Sequence, residues 1–371
     1  MAVPFFMLAG EIMNTGGLSK RIVNVALTLV GHVRGGLGYV AIVASCILAA
    51  LSGSAAADAA ALAALLFPMM VRAGHDPGRS AGLIAAGGII GPIIPPSIGF
   101  IIFGVAAGVS ISKLFLAGIV PGLMIGAGLA VAWWFQARKE TIVPPPKASR
   151  QEVMRSITDG AWALALPGII IFGLKFGIFT PTEAAVVCAV YALFVAMFIY
   201  RELKWSELYS VFAAAAQTTA VVMFLVAAAL VSSWLITVAE IPAQVTALLQ
   251  PFMGNKILLM IAIQVLVVVV GTALDMTPTI LILTPVLMPI VIKAGIDPVY
   301  FGVLFIINNS IGLITPPVGT VLNVVCGVAK IKMDDLIKGV WPFMIAQLLV
   351  LALLILFPAL VIVPARWFAA T

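Results

Sequence analysis

Ile90-Gly91-Pro92-Ile93-Ile94-Pro95-Pro96 and Ile311-Gly312-Leu313-Ile314-Thr315-Pro316-Pro317 are one punctuation pattern written twice, 221 residues apart. Working outward, Ala73-Gly74-His75-Asp76-Pro77 returns as Ala294-Gly295-Ile296-Asp297-Pro298, and Gly118 and Pro121 return as Gly339 and Pro342, at the same offset. Asp58 with Pro68 is echoed by Asp275 with Pro285 at an offset of 217, so this reading relates the halves by one four-residue insertion. Breakers kept in register over about 60 residues mark an internal repeat. Inside apolar segments of membrane length such breakers are costly unless the freed backbone lines a site.

The class follows from composition. The 371 residues are 63% hydrophobic and 9% charged, with mean hydropathy +1.22, which is the profile of an integral membrane protein. Long apolar runs without period-2 alternation select helices over a barrel. The net charge of +6 comes from cations scattered between apolar runs with no basic stripe, which excludes nucleic acid as a partner. Cys46, Cys188 and Cys326 lie far apart in apolar runs and are read as packing residues. The chain contains no G-x-x-x-x-G-K-[ST] loop for ATP. It also contains no nucleophile–base pattern, so it does not read as an enzyme.

Residues 1–137 form the first repeat, 138–160 a polar linker rich in proline at its start, and 161–371 the second repeat. In the first, helices at 3–14 and 18–34 precede a re-entrant hairpin at 37–71, an interrupted span at 81–108 and a long helix at 114–137. Each hairpin arm of about 15 residues is too short for a full span. The second repeat adds spans at 161–176, 181–200 and 208–237 and a connecting piece at 240–253. It then repeats the hairpin at 257–293, the interrupted span at 299–329 and a last helix at 336–363. Matching Glu11 to Glu240 leaves two spans of the second repeat without first-repeat equivalents, so roughly 50–70 further residues are expected ahead of residue 1. The opening residues have no charged n-region or cleavage site, and a signal peptide is not expected.

Charge counting tests the map. If the first hairpin opens to the cytoplasm, Lys113, Lys175, Lys256, Lys293 and Arg366 face outward and the other 15 of the 20 Lys and Arg face inward. The second hairpin then opens to the opposite side, which makes the repeats inverted. Duplicated, interrupted membrane helices in inverted repeats point to a secondary transporter.

The breaks carry the chemistry. Pro95, Pro96, Pro316 and Pro317 remove amide donors and free carbonyls that a small hard cation such as Na⁺ would satisfy. Ser52, Ser54 and Ser97 in the first half, and Thr272, Thr277, Thr315 and Asn309 in the second, are candidates to complete the shell. Half-helix N-termini after each turn suit an anionic substrate. Asp58 and Asp275 lie within apolar hairpins, where an ionised group is functional or caps the outgoing helix. Glu183 reads as a cap after Thr180-Pro181. Gly118, Gly122 and Gly126 read as a packing stripe, and Trp133, Trp134 and Trp367 as interface anchors. His32 and His75 fall in loops without a metal or acid–base partner.

Taken together, LSGSAAADAAALAALLFPMM (51–70), GGIIGPIIPPSIGFIIFG (87–104), SISKLFLAGIVPG (110–122), GIFTPTEAA (177–185), LDMTPTILILTPVLMP (274–289) and NNSIGLITPPVG (308–319) resemble the large, DctM-type membrane subunit of the tripartite ATP-independent periplasmic (TRAP) transporters. The resemblance covers essentially the whole chain, although typical members begin with further apolar spans. It implies a Na⁺-driven importer of an organic anion in a bacterial inner membrane, working as an elevator. Its implied partners are a small four-helix membrane subunit and a periplasmic substrate-binding protein. Carried over by position, the sodium-site regions fall on Ser52, Gly53 and Ser54 with Gly91 to Ser97, and on Gly271 to Thr277 with Gly312 to Gly319. AGEIMNTGGLSKRIV (9–23) and FGVLFIINNSIGLITPPVGTVLNV (301–324) are most similar to the sugar-acid, diketogulonate-type members. C4-dicarboxylate and sialic acid remain alternative substrates, and a stand-alone carboxylate symporter or a non-transporting membrane scaffold remain alternative roles.

Overall fold

The computed structural model describes residues 2–140, 142 and 144–369, and the described residues form helices and loops without strands. The segment read as the first repeat holds α1 (Ala2–Thr15), α2 (Leu18–Val30), α3 (Gly36–Ser52), α4 (Ala55–Arg72), α5 (Pro77–Gly88), α6 (Ile98–Ala107) and α7 (Ile111–Ala137). The second consists of α8 (Arg150–Lys175), α9 (Pro181–Phe194), α10 (Leu208–Val238), α11 (Ile241–Leu249), α12 (Lys256–Gly271), α13 (Met276–Lys293), α14 (Pro298–Gly312), α15 (Thr320–Ala329), α16 (Met333–Leu356) and α17 (Ala359–Ala369). Among the described residues, 7 helices are long and apolar enough to cross a membrane.

Local chemistry sets the boundaries. Asp76 and Asp297 accept from the first-turn amides of α5 and α14, each of which has Pro at its first position. Ser149 with Glu152, and Thr180 with Glu183, form capping boxes for α8 and α9. The cap at Ser149 starts α8 inside the stretch read as linker, so among the described linker residues 138–140, 142 and 144–149 precede the helix. Pro77 starts the first interrupted span four residues earlier than the apolar pattern does. The last span is two helices, because Pro358 lacks the amide needed to carry α16 into α17.

The two segments exchange partners. The return arm of the first hairpin, α4, packs on α15, and the return arm of the second, α13, packs on α6. Likewise α5 packs on α16 while α14 packs on α7, and α3 lies against α5 as α12 lies against α14. Each of these contacts has its counterpart in the other segment, as expected of two duplicated units closed around one centre.

The structure revises the register of the hairpins. α4 and α13 end at Arg72 and Lys293, and Pro68 matches Pro289, all at the offset of 221. Asp275 therefore occupies the place of Ser54, each being the residue before its helix, and Asp58 corresponds to Thr279. No four-residue insertion is required. The acidic residues occupy different positions in their helices, and helix ends, not side-chain identity, define the equivalence.

Two further readings are corrected. Trp133 is wholly buried, not an interface anchor. Its Nε1 donates to Gly35 O at 2.7 Å and its ring lies 5.4 Å from that of His75. His75 is not unpartnered either, since its Nδ1 is 2.6 Å from Glu140 Oε2. Arg79 donates to Glu140 Oε1 at 3.3 Å, and Arg34 donates to the carbonyls of Arg138 and Glu140 at 3.1 and 2.9 Å. The start of the linker is strapped to the base of the first broken span. Trp134 and Trp367 are exposed, in keeping with the interfacial reading.

Candidate functional site

The first hairpin turns in two residues. Gly53 takes φ +64, a left-handed conformation that side chains resist, and closes α3. Ser54 follows in extended geometry and caps α4 by accepting from Ala57 N. Ser52 Oγ accepts from Ser54 N at 3.1 Å and donates to Asp58 Oδ1 at 2.5 Å. Asp58 is buried, and its Oδ2 has no hydrogen-bond partner. The carboxylate therefore shapes the tip through Ser52 rather than capping α4, and it retains one free oxygen.

That oxygen faces the first break. A Cβ placed on Gly91 would lie 2.6 Å from Asp58 Oδ2, and one on Gly53 would lie 2.4 Å from Pro96 O. Only glycine permits the hairpin tip and the break to meet this closely. Beyond Gly88 the chain tightens, with Ile90 N and Gly91 N donating to Gly87 O and Gly88 O at 3.0 Å each. Ser97 Oγ donates to Pro92 O and accepts from Phe100 N, which caps α6. Among the described residues the carbonyls of Gly91, Ile94, Pro95 and Pro96 receive no hydrogen bond.

 The whole stretch from Ala81 to Gly104 is buried. α7 seals its far side with the glycine stripe read from the sequence: Cβ atoms on Gly118 and Gly122 would meet Ile93 O and the Ile94 side chain at 2.5 and 2.4 Å.

The second hairpin has a different tip. Asp275 precedes α13 without capping it through its side chain, and its Oδ1 accepts from Thr320 Oγ1, at the start of α15, at 3.2 Å. Thr272 Oγ1 donates to Val269 O and Thr315 Oγ1 to Ile311 O, both at 2.8 Å, and Thr315 Oγ1 also lies 3.6 Å from Met344 Sδ on α16. Thr277 is buried. Asn309 Nδ2 donates to Met276 O at 3.1 Å, and its buried Oδ1 is unpartnered. Gly271 and Gly312 are in backbone contact, since a Cβ on Gly312 would sit 3.0 Å from Gly271 O. Pro317, Val318 and Asp275 are exposed, so this side is open where the first is closed. Both Pro95-Pro96 and Pro316-Pro317 peptide bonds are cis.

Four half-helix starts converge on one place. The backbone of Ser54 touches Gly91, Gly53 touches Ile98 at the start of α6, Gly99 of α6 touches Met276 of α13, and Thr320 of α15 bonds Asp275. Positive dipole ends gathered in this way favour a bound anion. Among the described residues no three His, Cys, Asp or Glu gather as a metal cluster. The available donors are carbonyls, hydroxyls, an amide and single carboxylates, a hard oxygen set suited to an alkali cation. The structure thus brings Ser52, Gly53, Ser54, Asp58, Gly91, Pro95, Pro96 and Ser97 together. It gathers Gly271, Asp275, Asn309 and Gly312 in a second group, with Thr272 and Thr277 in the same tip and Thr315, Pro316 and Pro317 in the adjoining break. Sequence reading missed Thr320 and Gly88, and marked Met276 only as part of the Gly271 to Thr277 tip. For Thr320, a hydroxyl following the break and Gly319 was the available signal.

The profile of the family described as "Tripartite ATP-independent periplasmic transporter, DctM component" matches residues 1–360. The 2,3-diketo-L-gulonate TRAP transporter large permease protein YiaN of Escherichia coli is 59% identical over 367 residues, covering 99% of this chain and 86% of that protein. A putative TRAP transporter large permease protein of Haemophilus influenzae is 58% identical, with the same 99% and 86% coverage. The crystal structure of the YdaH transporter of Alcanivorax borkumensis superposes with a TM-score of 0.68 at 16% identity, covering 96% of this chain and 85% of that one. At that identity the likeness concerns the fold alone.

Proposed function

Because the chain belongs to the DctM family of TRAP transporter large permeases, multi-pass proteins of the inner membrane, we propose that it imports an organic carboxylate, a sugar acid, driven by Na⁺. The observation that carries the reading is the buried first site. There Asp58 Oδ2, unpartnered among the described residues, faces a break whose carbonyls at Gly91, Ile94, Pro95 and Pro96 receive no hydrogen bond from them. Buried groups of this kind are expensive unless a ligand satisfies them, and a cation satisfies a carboxylate and carbonyls together. Ser52, Asp58 and the break carbonyls would hold one Na⁺. Asp275, Asn309 and the carbonyls around Thr315 to Pro317 would hold a second. The ions neutralise the site so that the carboxylate substrate can sit against the half-helix starts. The hairpins and broken spans then move as an elevator between the two sides. The 59% identity to a permease named for 2,3-diketo-L-gulonate supports a sugar acid. Family membership supports a small membrane subunit and a periplasmic binding protein as partners.

The test is uptake into proteoliposomes containing this chain and its small subunit, with the cognate binding protein outside. Labelled 2,3-diketo-L-gulonate should accumulate under an inward Na⁺ gradient without ATP, and only with the binding protein present. Equal uptake in choline buffer would refute ion coupling. Preference for a C4-dicarboxylate or sialic acid would refute the substrate class, and uptake without the binding protein would indicate a stand-alone symporter.

A further inference from the structure

Gln347 lies on α16, in the second repeat, yet its side chain ends at the first break. It is fully buried, and its Nε2 donates to Ala86 O at 2.8 Å. In an uninterrupted helix the Ala86 carbonyl would accept from Ile90 N. Here Ile90 N bonds Gly87 O at 3.0 Å instead, so the tightened end of α5 releases the Ala86 carbonyl. The amide of Gln347 supplies the missing donor.

Three observations set this contact apart from ordinary packing. The register is built in: a Cβ on Gly339 would fall 2.0 Å from Gly78 O, so α5 and α16 are in backbone contact there. Gly78 to Gly339 and Ala86 to Gln347 are the same sequence distance, 261 residues, and the bond therefore lies about two turns further along two parallel helices. The brace is also one-sided. The position matching Gln347 in the first repeat is Gly126, where a Cβ would lie 2.7 Å from Cys46 Sγ. Finally, Gln347 Oε1 is buried without a partner. A buried amide satisfied on one side only is a poor choice for stability, because an apolar residue of the same length would avoid that cost.

We infer that Gln347 is a positioning residue for the first ion site, acting from the second repeat. It holds the end of α5 so that the carbonyls beyond Gly91 stay opposite Asp58, which makes the first site depend on the seating of α16. The inference rests on the Na⁺ reading above.

The test uses the purified full chain and follows thermal unfolding as NaCl replaces choline chloride. Gln347→Met keeps the length and removes the donor. It should raise the half-saturating Na⁺ concentration about five- to tenfold, the worth of one buried hydrogen bond, while leaving the midpoint in choline nearly unchanged. Tyr300→Phe removes another bond to α16, Tyr300 OH to Leu354 O at 3.0 Å, away from the break. It should lower the midpoint in both salts without moving the Na⁺ dependence. An unchanged Na⁺ dependence in Gln347→Met would overturn the inference. Gln347→Asn keeps an amide that stops about 1.5 Å short and serves the same purpose if the Met variant is not recovered folded. If the wild type shows no Na⁺ stabilisation, the ion reading fails, and the brace is read from amide exchange across residues 86–98. Faster exchange in Gln347→Met supports the brace, and equal exchange rejects it.

Discussion

Replacing Asp58 by Asn probes the first site with almost no change of shape. The Ser52 Oγ bond to Oδ1, 2.5 Å in the wild type, can persist to the amide oxygen. The substitution removes the charge and converts the unpartnered Oδ2 into a donor facing the unpaired carbonyls of the break. Two opposite effects follow. A carboxylate beside a bound cation contributes about 4 kcal/mol at 4 Å with an effective dielectric constant near 20, part of which offsets desolvation. A net loss of about 2–3 kcal/mol corresponds to a roughly 30- to 150-fold rise in the Na⁺ needed for half-maximal uptake. Without Na⁺ the sign reverses, because a buried charge with an unsatisfied oxygen is replaced by a neutral amide. The variant should unfold a few degrees higher than wild type in choline and lose the additional stabilisation that Na⁺ provides. Initial uptake rates and thermal unfolding across a NaCl series measure both. A Na⁺-induced shift in Asp58→Asn equal to that of the wild type would refute the assignment.

Other outcomes test separate parts of the structure. Gly339→Ala drives a methyl group to 2.0 Å from Gly78 O and should cost about 1–3 kcal/mol, read as a lower unfolding midpoint in choline and in Na⁺ alike. Asn309→Ala leaves Met276 O without its 3.1 Å donor and should flatten the Na⁺ dependence of uptake, lowering its Hill coefficient toward about one if two ions act together. Glu140→Ala releases His75 and Arg79 from the linker, and limited proteolysis between 140 and 150 should become faster with little effect on the membrane core. Trp133→Phe removes the 2.7 Å bond to Gly35 O and should cost about 1–2 kcal/mol; an unchanged midpoint would contradict its burial as a structural side chain.

The hairpins and the two breaks were legible because proline and glycine act on the backbone of their own turn. Pro95-Pro96, Pro316-Pro317 and Gly53 need no distant partner to interrupt a helix, and composition alone places those interruptions in a membrane. The candidate site was legible only as segments: the sequence marked the hairpin tips and the breaks, and the contacts of individual atoms came from the packing. Asp58 and Asp275 looked like a matched pair, yet one is tied to Ser52 and the other to Thr320, because equivalence follows where each helix begins. Trp133 and Trp134 are neighbours of one residue type, and only the packing of α7 decides that the first is buried and the second exposed. Gln347 carried no signal in the chain, since its meaning comes from a carbonyl 261 residues away that is freed by one break and reached through one helix seam. Local backbone chemistry is written residue by residue. Which buried polar groups meet depends on how separately specified helices come to lie against each other.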